Sequence, residues 1–189
     1  MKISVELKRA YLLLNHGPTV LVSASHGGHE NVMAAAWNTA LDFLPAKVCV
    51  VLDKKSYTRE LIEASGAFTL SVPTQNLAHI TTQVGSKTGR GIRKISEMGV
   101  ATLPAEHIAA PLIAGCAGWL ECKLLPEPEM QSKYDLFFGE VVAAWADARV
   151  FVENRWQFDD EKHPGMRTIH HIAAGNYFAA GAQVSGHAK

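Results

Sequence analysis

The residue types able to do covalent or metal chemistry are present in this chain, but not at the spacings such chemistry needs. There is no G-x-S-x-G, no H-E-x-x-H and no C-x-x-C, so the usual signals of nucleophilic or zinc catalysis are absent. His26 and His29 flank two glycines with no Cys, Asp or other His nearby in sequence, which reads as a pair of solvated turn histidines rather than a metal site. His170 and His171 are adjacent, so a strand sends them to opposite faces. The three cysteines, Cys49, Cys116 and Cys122, fit no zinc or redox spacing and read as small buried apolar residues.

Two other stretches carry more chemistry. "GSKTGRGIRK" (residues 85–94) sets Lys87, Arg90, Arg93 and Lys94 among glycines and hydroxyls, offering backbone N–H groups, O–H donors and a guanidinium to a phosphate. It matches neither the G-x-x-x-x-G-K-[ST] loop nor G-x-G-x-x-G, so a triphosphatase or a Rossmann domain is not supported. "DKKSYTREL" puts Ser56 and Thr58 at a helix start, where free N–H groups and the positive end of the macrodipole favour an anion. A solvated basic loop and simple N-capping explain each stretch separately. Together they point to a phosphorylated ligand.

The elements that must position these residues are mostly strands. Residues 19–25 ("TVLVSAS") are β-branched and apolar, and "HGGHE" supplies a tight turn into "NVMAAAW". Residues 47–52 form a short continuous apolar run expected of a strand covered on both faces. "SYTRELIEASG" is a short helix with a Ser N-cap and a Gly stop, and "AFTLSVP" is the next strand. "TQNLAHITTQVG" has a helical pattern with a Thr N-cap, "SKTGRG" reads as loop, "IRKISEMG" as a further helical turn, and "GVATLP" as strand-like. Residues 115–125 and 134–147 form an antiparallel pair across the turn-rich "PEPEMQSK", and "ARVFVEN" adds a short strand. The expected fold is mainly β, a closed or nearly closed antiparallel barrel with peripheral helices, in one domain over residues 1–189.

Composition narrows the partners. With 48% hydrophobic and 19% charged residues the chain is a globular type rather than a disordered one. Eighteen basic residues balance eighteen acidic ones, so nothing draws the whole surface to nucleic acid or an anionic membrane, and any anion site must be local. No apolar run is long enough for a membrane helix and the N-terminus is too polar for a signal peptide, which gives a cytoplasmic expectation.

The ordered series "GPTVLVSAS", "NVMAAAWN", "PAKVCVVL", "SYTRELIEASGAFTLSVP", "GSKTGRGIRKISEMGV", "AGWLECKLL" and "FFGEVVAAWAD" resembles the flavin reductase-like, FMN-binding split-barrel family, and within it the flavoredoxin group. The resemblance implies a Greek-key split barrel, a homodimer, and one FMN per subunit near the dimer interface. It further implies that residues 31–38, with Asn31, Ala34, Ala35, Ala36, Trp37 and Asn38, line the isoalloxazine. Ser56, Tyr57 and Thr58 would stand at the phosphate, and Ser86, Lys87, Thr88 and Arg90 would close over phosphate and ribityl chain. Trp37 has two readings, beside the ring or in the core. Tyr177, in "HHIAAGNYFAAG", is placed near the substrate side. Where the family carries an acidic residue and then Lys-Phe, this chain has Arg93, Lys94 and Ile95. No catalytic side chain or metal is expected, because hydride and electron transfer belong to the flavin while the protein binds and orients it.

The activity expected from the resemblance is reduction of bound FMN by NAD(P)H with electrons passed onward. A flavoredoxin-like carrier reduced by a protein partner is the alternative. A nucleic-acid-binding barrel using the basic loop is disfavoured by zero net charge and the lack of interleaved aromatics.

Overall fold

The computed structural model describes residues 1–186. Its strands are β1 (Lys2–Ser4), β2 (Val20–His26), β3 (His29–Ala35), β4 (Asn38–Phe43), β5 (Ala46–Val51), β6 (Ala67–Val72), β7 (Thr102–Leu103), β8 (Leu112–Ile113), β9 (Gly118–Leu125), β10 (Leu136–Asp147), β11 (Phe151–Val152), β12 (Arg155–Trp156), β13 (Ile169–Ala173) and β14 (Asn176–Ala179). The α-helices are α1 (Tyr57–Ser65), α2 (Ala78–Ser86), α3 (Lys94–Glu97) and α4 (Pro128–Tyr134), with 3-10 turns at Leu7–Leu13 and Gln75–Leu77. The mainly β expectation holds.

One eight-stranded antiparallel sheet carries the architecture, in the order β3-β2-β6-β9-β10-β5-β4, with β1 beside β10. Its two ends, β3 and β4, are consecutive in the chain and joined only by residues 36 and 37. The three Cα–Cα steps from Ala35 to Asn38 span no more than about 11 Å, so the sheet must curl until its edges nearly meet. The result is a barrel with a split between β3 and β4.

The β2–β3 hairpin is fixed locally. Gly27 and Gly28 have φ of 58° and 77°, the pair of positive angles that a two-residue turn of primed type requires. The seven paired residues from Val20↔Ala35 to His26↔His29 then lock the register. This alternation turns Met33 and Ala35 toward the core inside the barrel, with Val22, Phe68, Leu70, Leu120 and Phe137, and turns Val32 and Ala34 toward a second cluster under α2, with Val84, Trp119 and Trp145. Phe68, fully buried, contributes roughly 2–3 kcal/mol through its apolar surface. Gly139 is required beside it: a Cβ there would lie 2.6 Å from the Phe68 ring.

Three local expectations need adjustment. "PEPEMQSK" is not a turn but the core of α4, because Pro128 opens the helix, Glu129 and Lys133 complement its two ends, and Asp135 closes it in the left-handed region. The Thr74 cap begins a 3-10 turn, and α2 starts only at Ala78. Ser56 stands at the N-cap of α1 without making a side-chain cap bond; its Oγ donates to Met33 Sδ at 2.9 Å.

Candidate functional site

A cleft of about 720 Å³ opens where the barrel is split. Ligand pockets of roughly 300–1,000 Å³ take molecules of cofactor size. Its lining comes from Thr19, from residues 33–37, from Val51, Asp53 and Asp135, from Thr81, Thr82, Gly85 and Ser86 on α2, and from His171, Ala174, Gly175 and Tyr177.

The first wall is an unpaired sheet edge. In an antiparallel strand, alternate residues send both backbone groups away from their neighbour. The carbonyl of Val32 accepts from Lys94 Nζ at 3.1 Å and so points away from β2, which places Ala34, and Ala36 just past the strand end, in the same outward set. Their N–H and C=O groups therefore face the cleft, and alanine side chains leave that edge open to a flat molecule. Trp37 follows, 74% exposed, with its carbonyl accepting from Val51 N–H at 3.0 Å.

The second wall is α2 with the β13–β14 hairpin. Tyr177 Oη and Thr82 Oγ1 are hydrogen-bonded at 3.0 Å, and His171 N–H donates to Thr19 Oγ1 at 2.9 Å. Thr81 on α2 is a cleft-lining residue, but its side chain is fully buried and its hydroxyl has no hydrogen-bond partner among the described residues. A buried hydroxyl without a partner costs about 1–3 kcal/mol.

Next to the lining residue Met33, whose Sδ accepts from Ser56, lies the N-terminus of α1, to which the N-cap residue Ser56 gives no side-chain cap. Arg90 reaches over it: Nη1 donates to Glu60 Oε2 at 2.8 Å, Nη2 pairs with Glu60 Oε1, and the guanidinium lies 5.7 Å from the Tyr57 ring centre. The hydrogen bond from Arg90 holds the Glu60 carboxyl below its ordinary pKa, and Glu60 in turn raises that of Arg90. Arg59 anchors the helix from below, with Nη1 donating to Asp135 at 2.6 Å and Nη2 to the Gln131 carbonyl at 2.8 Å. These partners fix α1 against the start of β10 and hold Asp135 at the cleft rim.

Residues 13–159 match the flavin reductase like domain. The chain belongs to that family. The uncharacterized protein YddH of Escherichia coli (strain K12) is 44% identical over 186 residues, covering 97% of both chains. A crystal structure of an FMN-binding domain of a flavin reductases-like enzyme from Shewanella baltica OS155 is 46% identical, with a TM-score of 0.94 over 99% of this chain and 98% of that one. Flavoredoxin of Desulfovibrio vulgaris (Miyazaki F) is 25% identical, with a TM-score of 0.76 over 89% of each chain. The split-barrel expectation agrees with these relatives.

Within this flavin reductase like chain, the residues singled out in the sequence fall into three groups. Ala34, Ala35, Ala36, Trp37 and Ser86 line the cleft. Tyr57, Ser56, Lys87, Thr88 and Arg90 gather around the α1 N-terminus and the loop that follows α2, where Thr88 Oγ1 accepts from Arg90 N–H at 3.2 Å. Asn31, Thr58 and Asn38 lie behind the surface. Asn31, 2% exposed, donates from Nδ2 to Thr58 Oγ1 at 2.8 Å, and Asn38 Nδ2 donates to the Pro18 carbonyl at 2.9 Å. Thr58 therefore meets Asn31 with its hydroxyl, not the cleft, because its position in the first turn of α1 turns the side chain inward. Gly89 explains the arrangement: a Cβ there would sit 2.2 Å from Asn31 Oδ1, so only glycine lets the basic loop lie on the Asn31–Thr58 pair.

Trp37 is not a core residue; the core reading of it is excluded by its exposure at the cleft. The sequence reading missed Thr81, Thr82, Gly85 and His171, which became visible only when α2 and the C-terminal hairpin were brought to the split. Of the basic residues, Lys94 is not part of the solvated loop but is buried under α2. Among the described residues no cluster of three or more potential metal ligands occurs. All three cysteines are buried, and desolvation pushes their thiols upward in pKa.

Proposed function

We propose that the chain binds FMN in this cleft and acts as an oxidoreductase in which NAD(P)H reduces the flavin and the electrons pass to an acceptor. The observation that carries this reading is the junction of an open main-chain edge at Ala34 and Ala36 with the uncapped α1 N-terminus under Arg90. A flat ring bearing alternating N–H and C=O groups matches the first, and a phosphate dianion matches the second.

The flavin, once bound, would supply the hydride and electron chemistry. The chain's own part is binding and orientation. The α1 N–H groups, Ser56 and the loop of Lys87, Thr88 and Arg90 hold the phosphate end, with Glu60 keeping the guanidinium aligned. The β3 edge fixes the ring plane, Trp37 flanks it, and the hairpin bearing His171 and Tyr177 limits access of water to the opposite side. The exposed apolar Leu41, Phe43 and Leu44 beside Trp37 on the β4 edge suit the homodimer that goes with this reading.

Anaerobic mixing of the FMN-loaded protein with NADH and with NADPH tests the activity. Bleaching of the flavin absorbance by either supports it. No bleaching, with rapid reduction by a reduced redox protein, would instead establish an electron carrier, a reading favoured by the likeness to flavoredoxin.

A further inference from the structure

Lys94 is 2% exposed, and its ammonium donates to the Val84 carbonyl at 2.7 Å and the Val32 carbonyl at 3.1 Å. Val84 lies in the last turn of α2, where carbonyls have no helical partner and the dipole is negative. Val32 is on the outward edge of β3. One side chain thus ties α2 to the β3 edge, each bond falling next in sequence to a cleft-lining residue, Gly85 and Met33. No carboxylate pairs with it among the described residues, and desolvation pulls its pKa down to about 8. The other ionisable groups on the elements around it, His29 and Glu30 on β3, His79 on α2 and Glu97 on α3, are exposed, as is Arg93 just before α3.

Along a strand, two residues advance about 6.6 Å, so this buried charge stands one outward step from the main-chain groups of Ala34. The acidic groups of the cleft lining are Asp53 and Asp135, and Asp135 is already paired with Arg59.

Resting on the flavin reading above, we propose that Lys94 is a positioning residue that locks α2 onto the β3 edge and sets the reduction potential of the flavin held there. A hydride from a reduced nicotinamide carries two electrons and one proton and leaves oxidised nicotinamide behind. The ring then bears one added negative charge unless a second proton arrives from water. A desolvated ammonium close to that edge favours the added charge, and a neutral residue does not.

The test is the midpoint potential of FMN-loaded wild type, Lys94→Met and Lys94→Gln, by dye-equilibrated reductive titration, with thermal unfolding as the check on folding. Removing the charge should weaken affinity for reduced FMN relative to oxidised FMN by at least tenfold, a fall of about 30 mV for a two-electron couple. Folded variants with an unchanged potential, or with equal loss of affinity in both redox states, would reduce Lys94 to a structural pin and overturn the proposal. If neither variant folds, the potential of the intact holoprotein is followed from pH 7 to above pH 9. A fall around pH 8 steeper than that of free FMN supports the proposal, and a parallel slope overturns it. A wild type that takes up no FMN defeats the flavin reading itself, whereas FMN uptake with an unmoved potential defeats only the role of Lys94.

Discussion

The β3 side of the cleft is built from consecutive residues 33–37, mostly small, whose main chain is the functional surface, whereas the α2 side is built from side chains brought together over long distances. Thr82 and Tyr177, hydrogen-bonded there, are 95 residues apart in sequence. The first wall is held by the sheet register and needs nothing from its side chains except absence of bulk. The second is held by individual hydroxyls and a single buried ammonium, and so can be adjusted residue by residue.

The contrast can be broken most severely at Gly89. A methyl at this position collides with the buried Asn31 amide, so Gly89→Ala should lower stability by about 1–3 kcal/mol and displace the basic loop. Urea unfolding and FMN titration together would detect it, and unchanged values in both would remove the Asn31–Thr58 pair from the account.

Trp37→Ala sharpens the first wall. Being exposed, Trp37 contributes little to folding, and stability should stay within about 0.5 kcal/mol. Its flat contact with a ring is worth about 1 kcal/mol, so FMN should bind several-fold more weakly in a fluorescence titration. A large loss of stability would return this residue to the core.

On the second wall, Thr81→Val removes a buried hydroxyl that lacks a partner and should stabilise the protein by about 1 kcal/mol, with FMN affinity nearly unchanged. Calorimetry without and with FMN checks both. Tyr177→Phe is the smallest change, losing one partly buried hydrogen bond of about 0.5–1.5 kcal/mol to Thr82, with flavin affinity nearly unchanged.

The same contrast explains what the sequence disclosed. The hairpin around Gly27 and Gly28, the capped helix ending at Gly66 and the apolar strands are written in short-range pattern, and all are present. The small residues before Trp37 were legible for the same reason. Helix α4 was hidden by Pro126 and Pro128, which read as turn signals although a proline at the first helical position is compatible with a helix. Thr58 and Asn31 were expected at the cofactor and are instead a buried pair outside the cleft lining, which the sequence could not show because inward or outward orientation depends on which face α1 packs against. Thr81 had no signal at all: an unpartnered hydroxyl is a property of the assembled cleft. Lys94 was grouped with exposed neighbours because charge in a glycine-rich stretch ordinarily means solvent.

The central claim, that this split holds FMN, is tested most directly by adding FMN to the purified protein and following flavin fluorescence and visible absorbance. The account predicts saturable quenching at one FMN per chain with a structured shift of the absorbance bands. Unquenched fluorescence and a spectrum identical to free FMN at every protein concentration would contradict it.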